Sequence, residues 1–262
     1  SASHVACGES KVAATGKQIA AAADLYLKQK GDAVAGKKVE LIVKDDTGVA
    51  DVNYTDFEPL CLVSSTPSVV TASPKTPWAD MKALVADAKA RPGQITVGAT
   101  LGSTSHFFPA LVAKVAGLQF KYVSYEGTAP RMNALLGGHI DLAESNLTQK
   151  GKADAGQLRF LAIASAARHP ELPAVPTLKE LGIDVEYAVN RGLVAPKGTP
   201  ADVLAKLRSA CGKAAREPGL GDALKKHGTL VRYLDERGYA AFFKANDSSN
   251  RELAKELGML KR

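Results

Sequence analysis

The stretch QITVGATLGSTSHFFPALVAKVAG, residues 94–117, combines a strand pattern, a polar turn and a helix pattern. Its first residues are a short apolar run with β-branched side chains, which is typical of a buried strand. Its last part has apolar residues at helical spacing, namely Phe108, Leu111, Val112 and Val115. The turn between them is made of Gly102, Ser103, Thr104 and Ser105. This order predicts a strand that leads through a hydroxyl-rich turn into a helix.

The same order recurs along most of the chain. VSYEGTAPRMNALLGG, residues 123–138, is a second strand–turn–helix unit with Gly127, Thr128 and Ala129 at its turn, where we expect Thr128 to cap the helix. Upstream, TPWADMKALVADAKARPG predicts a helix with Thr76 as its N-cap. Short strands that alternate with helices indicate an α/β protein with mostly parallel sheets flanked by helices.

Two extended segments, around residues 60–73 and 185–195, flank a compact α/β block. This layout is typical of a chain that leaves one domain, builds a second and returns to the first. We therefore expect a two-lobed fold with a hinge of crossing strands and a cleft between the lobes. Lobe 1 is predicted to contain residues 1–73 and 188–262, and lobe 2 residues 74–187.

The polar turns are candidates for an anion site. In α/β sheets, ligands bind beyond the carboxyl ends of the strands, where unpaired N–H groups at helix N-termini attract anions. The hydroxyls of the first turn add donors, and Gly102 and Gly127 allow a ligand to come close to the backbone. Ser145 and Asn146, at the end of the strand pattern HIDLAES, can reach the same crevice. The alternative, in which the hydroxyls only cap their helices, stays open.

Composition argues against several classes of protein. The 262 residues have a formal net charge of +7, their cations are interspersed with anions, and aromatic residues make up only 6%, so we expect no nucleic-acid partner. Cys7, Cys61 and Cys211 are far apart and odd in number, which predicts neither a metal site nor a disulfide framework. The five histidines lack metal-ligand spacing. We therefore expect no metal and no cofactor.

Catalytic motifs are absent from the sequence, which has no G-x-S-x-G elbow, no phosphate loop and no G-x-G-x-x-G fingerprint. One enzymatic alternative stays open: an α/β hydrolase or transferase that uses Ser103 or Ser105 with His106. No acid is obviously placed to orient that histidine. We therefore expect a binding protein without catalysis.

From about residue 56 onward, five stretches carry a family resemblance: DFEPLCLVSSTPSVVTASP, ITVGATLGSTSHFFPALVAKVAG, VSYEGTAPRMNALLGGHIDLAESNL, LRFLAIASAARHPELPAVPTLKELG and RGLVAPKGTPADVLAKL. In this order they resemble the periplasmic solute receptors of tripartite tricarboxylate transporters, often called Bug receptors, over about residues 53–262. The resemblance implies two α/β lobes that close over a small carboxylated solute without a cofactor. It also implies that the carboxylate is held by the loops Gly102–Ser105 and Gly127–Ala129.

The resemblance further implies the ligand class and the partners. Arg191 matches a pocket position of the family, although a surface ion pair is the alternative. Amino-acid-binding members tend to have an aspartate where this chain has Ser145, so we expect a di- or tricarboxylate or an aromatic acid instead of an amino acid. We expect the mature chain to act as a monomer in the periplasm, delivering its ligand to membrane permease subunits, and no export signal is visible at its N-terminus.

The N-terminal fifth departs from the family, because the expected P-G-G loop is missing. ATGKQIAAAADLYLKQKGDAVAGKKVELIVKDDTGVAD, residues 14–51, instead resembles the start of branched-chain amino-acid receptors of ABC transporters. This predicts a composite chain, with about residues 1–52 from one receptor type and 53–262 from another. A chimeric receptor that folds without binding is therefore a further alternative.

Overall fold

The computed structural model describes residues 33–34, 37–38, 54–225 and 228–258. A short antiparallel pair is formed by β1 (Ala33–Val34) and β2 (Lys37–Lys38). The other strands are β3 (Phe57–Pro67), β4 (Val69–Ala72), β5 (Thr96–Ala99), β6 (Lys121–Ser124), β7 (Leu142–Ser145), β8 (Arg159–Ile163), β9 (Ala188–Pro196) and β10 (Leu230–Leu234). The rest of the predicted composite segment, residues 1–52, lies outside the described residues.

Seven α-helices occur among the described residues: α1 (Met81–Ala90), α2 (Thr104–Ala116), α3 (Thr128–Gly137), α4 (Lys150–Asp154), α5 (Ala201–Ala214), α6 (Pro218–Lys225) and α7 (Glu236–Glu256). Short 3₁₀ helices cover Tyr54–Asp56, Leu147–Gln149 and Lys179–Leu181. Within the described ranges, no helix combines the length and the apolar character needed to cross a bilayer.

The larger sheet has the order β6-β5-β7-β4-β8. Helices α1 and α2 pack on one face through Met81, Leu84, Phe108 and Val112, while α3 packs on the other through Met132 and Leu135. β5 is parallel to both β6 and β7, so the carboxyl ends of these three strands meet at one edge. The strand-to-helix turns after β5 and β6 therefore begin at the same edge.

The smaller sheet has the order β10-β3-β9, and both of its pairs are antiparallel. In the larger sheet, β4 is antiparallel to β7 and β8. The expectation of mostly parallel sheets is therefore wrong for these pairings. Parallel neighbours need a crossover connection, and β5, β6 and β7 have helices between them. β4 instead enters the sheet directly from β3, so no helical crossover sets its direction.

The chain crosses between the two sheets at Ser68 and returns at Tyr187. Ser68 N donates to Tyr187 O over 3.0 Å, and Ala164 N donates to Ser68 O over 2.9 Å. Backbone hydrogen bonds therefore tie the outgoing and returning segments together. The lobe boundaries 1–73, 74–187 and 188–262 stay a prediction.

A disulfide joins Cys61 in β3 to Cys211 in α5, across 150 residues of sequence and with their Cα atoms 6.4 Å apart. Both side chains are buried in a cluster with Val63. The prediction that the cysteines form no disulfide framework is therefore wrong. Their spacing could not reveal the pair, because the packing of α5 on β3 brings them together.

The C-terminal helix α7 packs beside β3 and also reaches α2. Lys114 Nζ of α2 lies 2.7 Å from Glu256 Oε1 and 3.9 Å from Glu252 Oε1 of α7. These exposed ion pairs join a helix of the larger sheet to a helix of the smaller one. Exposed pairs of this kind stabilise a fold by about 1 kcal/mol at most.

Candidate functional site

The first loop of the site connects β5 to α2. Gly102 has φ = 80°, a left-handed conformation that favours glycine. Ser103 is the N-cap of α2, and its Oγ accepts from Ser105 N over 3.2 Å. The Ser103 N–H donates to Thr100 O over 3.1 Å, which closes the turn. The predicted strand–turn–helix unit is therefore present.

The hydroxyls of this loop are largely engaged within it. Ser103 Oγ donates to Thr100 O over 2.8 Å and lies 2.9 Å from Ser105 Oγ. Ser105 is buried, and its Oγ accepts from Thr100 N over 2.9 Å. By contrast, Thr104 N has no hydrogen-bond partner among the described residues. The unpaired donor of this loop in the described structure is therefore the backbone N–H of Thr104, and the serine hydroxyls hold the turn around it.

The second loop connects β6 to α3. Gly127 has φ = 94° and is the N-cap of α3, without a side-chain capping bond. The helix begins at Thr128, so the prediction that Thr128 caps it is wrong: Gly127 occupies that position. Thr128 and Ala129 are exposed, and their N–H groups have no partner within the part of the chain that is described.

A hydrogen bond joins the two loops. Gly127 N donates to Thr100 Oγ1 over 3.2 Å and to Tyr125 O over 3.1 Å. Thr100 was not among the candidate residues, although its hydroxyl at the end of a strand is a signal that sequence reasoning could have used. The two predicted loops therefore lie side by side, with their helix N-termini at one edge of the sheet.

Ser145 and Asn146 end the neighbouring strand β7. Ser145 is buried, and its Oγ lies 2.5 Å from Thr71 Oγ1. Asn146 caps the 3₁₀ helix Leu147–Gln149, with Oδ1 accepting from Thr148 N over 3.0 Å and from Thr148 Oγ1 over 2.6 Å. Both residues lie at the same sheet edge as the loops, but their side-chain oxygens have partners within the protein.

Arg191 belongs to the other sheet, on the returning strand β9. Its Nη1 donates to Thr66 Oγ1 over 2.9 Å, and Thr66 Oγ1 lies 2.9 Å from Thr229 Oγ1. Among the described residues no carboxylate lies within ion-pair distance of Arg191. Burial lowers the pKa of this half-buried guanidinium. The partner of Arg191 is therefore the neutral hydroxyl of Thr66. The alternative, in which Arg191 forms a surface ion pair, is not what the described residues show.

Comparison with known proteins identifies the family. The family model described as "Tripartite tricarboxylate transporter family receptor" matches residues 45–259. The chain belongs to this receptor family. A UPF0065 protein in the gbd 5' region of Cupriavidus necator is 34% identical over 187 residues, which cover 71% of this chain and 57% of that protein. The chain thus spans a little over half the length of this curated relative.

Two solved structures of similar proteins support the fold of this family member. "R. palustris Rpa4515 with adipate" has a TM-score of 0.69 at 27% identity, over 78% of this chain and 69% of that chain. The structure of the periplasmic binding protein BugD has a TM-score of 0.67 at 29% identity, over 79% and 71%. The two sheets and their crossing segments are therefore the two-lobed α/β fold of periplasmic binding proteins.

The imidazole of His106 is not hydrogen-bonded to a serine hydroxyl in the described part of this receptor. Its Nδ1 accepts from Gly102 N over 3.4 Å, and its ring packs edge-on against Tyr122 at 4.8 Å. Burial lowers the pKa of His106, so the folded state favours the neutral imidazole. Nucleophile and base need a direct hydrogen bond in the hydrolase alternative. Among the described residues, the His106 imidazole has no hydrogen bond to the hydroxyl of Ser103 or Ser105, since only the backbone N–H of His106 donates to Ser103 O. The family is a receptor family.

The predicted site missed a buried ion pair beside the loops. Arg131 of α3 and Glu144 of β7 lie 3.3 Å apart, Nη2 to Oε2, with side chains only 4% and 7% exposed. Arg131 shares the buried face of α3 with Ala134 and Leu135. An arginine on an apolar helical face is a sequence signal for a buried partner. No group of three or more possible metal ligands occurs in the described part of the receptor.

Proposed function

We propose that this chain is an extracytoplasmic receptor that captures a small organic carboxylate in the cleft between its lobes. The observation that carries the proposal is the pair of helix N-termini joined through Thr100 and Gly127. Their unpaired N–H groups, at Thr104, Thr128 and Ala129, are suited to the oxygens of one carboxylate. Membership of the receptor family favours binding over catalysis, as does the lack, among the described residues, of a hydrogen bond between the His106 imidazole and a serine hydroxyl.

Arg191 is proposed to bind a second carboxylate of the ligand. A half-buried guanidinium without a counter-ion gains a partner when a carboxylate arrives, through two parallel charged hydrogen bonds. The loops belong to the larger sheet and Arg191 to the smaller one. A dicarboxylate that reaches both would join the two lobes when the cleft closes.

The ligand class is proposed to be a di- or tricarboxylate or an aromatic acid. Ser145 carries no charge, and Glu144 is already paired with Arg131, so neither residue supplies a free anion for an ammonium group. Burying an ammonium without such a partner is costly. The similar protein Rpa4515 was solved with adipate, which makes a C6 dicarboxylate the first ligand to test.

We also propose a periplasmic location, a monomeric state and delivery to the membrane permease subunits of a tripartite tricarboxylate-type transporter. The composite origin of about residues 14–52 is likewise a proposal, and it rests on their resemblance to branched-chain amino-acid receptors. The family match begins at residue 45, so it includes the last residues of this segment. Sequencing the gene from its source would decide whether this segment is native.

The test is isothermal titration of the folded protein with adipate, citrate, phthalate, leucine and glutamate, together with thermal melting. A ligand that binds only the folded state must raise the melting temperature. We expect at least one of the three acids to bind and both amino acids to fail. Binding of an amino acid alone would contradict the ligand class. A folded protein that binds none of the acids would contradict the receptor proposal for this chain.

A further inference from the structure

The buried pair Arg131–Glu144 connects the second loop to the crossing between the sheets. Glu144 Oε1 accepts from Ser68 Oγ over 3.1 Å, and Ser68 is the fully buried residue of the outgoing crossing. Ser68 N in turn donates to Tyr187 O of the returning segment. Glu144 is thus bonded on one side to the crossing and on the other to α3.

Arg131 lies in the first turn of α3, after the exposed residues Thr128, Ala129 and Pro130. The stem of Arg131 packs over Gly98 of β5 together with Ile140: a Cβ on Gly98 would meet Ile140 Cδ1 first and would lie 3.0 Å from Arg131 Cγ. Its head also donates to Glu144 O over 3.4 Å. The missing side chain at Gly98 therefore leaves space for the Arg131 stem to reach the end of β7. Through this side chain, the first turn of α3 is linked to β7.

The free energy of unfolding does not explain why the Arg131–Glu144 pair is buried. The desolvation of two buried charges roughly cancels their attraction, so a buried ion pair is often no more stable than apolar side chains of the same volume. Burial raises the pKa of Glu144, and Arg131 and Ser68 oppose that effect. In addition, Arg131 Nε has no partner in the described structure. What the pair does supply is a directional link with a defined length and orientation.

We propose that Arg131 and Glu144 are positioning residues, which align the first turn of α3 with the crossing segment and so set the direction of the carboxylate donors at Gly127–Ala129. This inference rests on the proposed carboxylate-binding function. It adds that carboxylate binding at the second loop is coupled to the backbone geometry of the crossing at Ser68. The coupling runs through the side chains of Arg131 and Glu144.

The test compares Arg131→Leu/Glu144→Leu with the conservative variant Arg131→Lys. A matched control, Lys179→Gln/Glu186→Gln, removes an exposed ion pair elsewhere in the chain. Each protein is measured by thermal melting, by adipate titration and by amide NMR without ligand. The double leucine variant is expected to melt close to the wild type but to bind adipate at least tenfold more weakly. Its amide shifts at Gly127, Thr128, Ala129 and Ser68 are expected to move.

Arg131→Lys keeps the charge but loses the planar guanidinium whose Nη2 contacts both Glu144 Oε2 and Glu144 O, so we expect it to fold and to show the same changes to a smaller degree. A folded leucine or lysine variant with wild-type affinity and unmoved amide shifts at Gly127–Ala129 would overturn the inference. If the leucine variant does not fold, the affinity and amide shifts of the lysine variant test the inference. If the wild type binds no carboxylate, the proposed function fails, but the ligand-free amide shifts still test the positioning role.

Discussion

The backbone N–H of Gly127 donates to Thr100 Oγ1 over 3.2 Å, and this bond joins the two loops of the candidate site. We expect Thr100→Val to leave the fold intact and to weaken carboxylate binding about fivefold. The reason is that a neutral hydrogen bond of this kind contributes about 1 kcal/mol, which here would align the donors. Titration with adipate measures the effect. Thr199→Val, which removes a hydroxyl bond to Pro196 O in a distant turn, is the control and should not change the affinity.

Arg191→Ala is expected to weaken binding of a dicarboxylate by roughly 1.5–3 kcal/mol, the usual contribution of a charged hydrogen bond. Within the described part of the chain, the Arg191 guanidinium has only the Thr66 hydroxyl as a hydrogen-bond partner, so its loss should hardly change the melting temperature. Arg208→Ala is the matched control on α5, the helix that packs on β3 of the same sheet: Arg208 donates to Pro59 O and lies 3.9 Å from Glu58. We expect that variant to lose stability and keep its affinity. If Arg191→Ala instead lost stability and kept its affinity, Arg191 would have a structural role.

Reduction of the Cys61–Cys211 disulfide is expected to destabilise the receptor. The bond closes a loop of 150 residues that contains the whole larger sheet. Removing a native disulfide typically costs about 2–5 kcal/mol. At roughly 2–4 °C per kcal/mol for a chain of this size, the melting temperature should fall by roughly 4–20 °C. Melting with and without a phosphine reductant measures this, and Cys61→Ala/Cys211→Ala should not respond to it.

Thiol counting provides a separate check on the same bond. The chain has three cysteines, so alkylation in denaturant without reductant should label one of them, and all three after reduction. Labelling of all three without reductant would contradict the disulfide.

Stability is expected to fall as the pH drops below about 6.5, the ordinary pKa of histidine. Burial lowers the pKa values of His106 and His169, so the folded state favours the neutral imidazoles. Their contribution is complete above the unfolded pKa and is lost as the pH falls through the folded values. Melting curves between pH 7.5 and 5 measure the loss. His106→Asn should show a shallower pH dependence than the wild type, and an unchanged slope would contradict a buried neutral His106.

Local patterns in the sequence were sufficient to predict the elements of the site. Gly102 and Ser103 form the turn and N-cap at the start of α2, because glycine permits a left-handed backbone and serine reaches the next N–H groups. The same local chemistry placed the turn at Gly127. It failed for α1, which begins at Met81 with Asp80 as its cap. There Thr76 Oγ1 donates to Ser73 O instead of capping the helix.

The tertiary structure alone decided which distant residues meet. Cys61 and Cys211, Arg131 and Glu144, and Thr100 and Gly127 are partners because of sheet order and helix packing, and no local spacing connects them. β4 is antiparallel to its neighbours because it arrives from the other sheet without a helical crossover. Propensity, capping and periodicity act over a few residues, so they determine where strands and helices form. Partner choice depends on how those elements pack, which is a property of the whole chain.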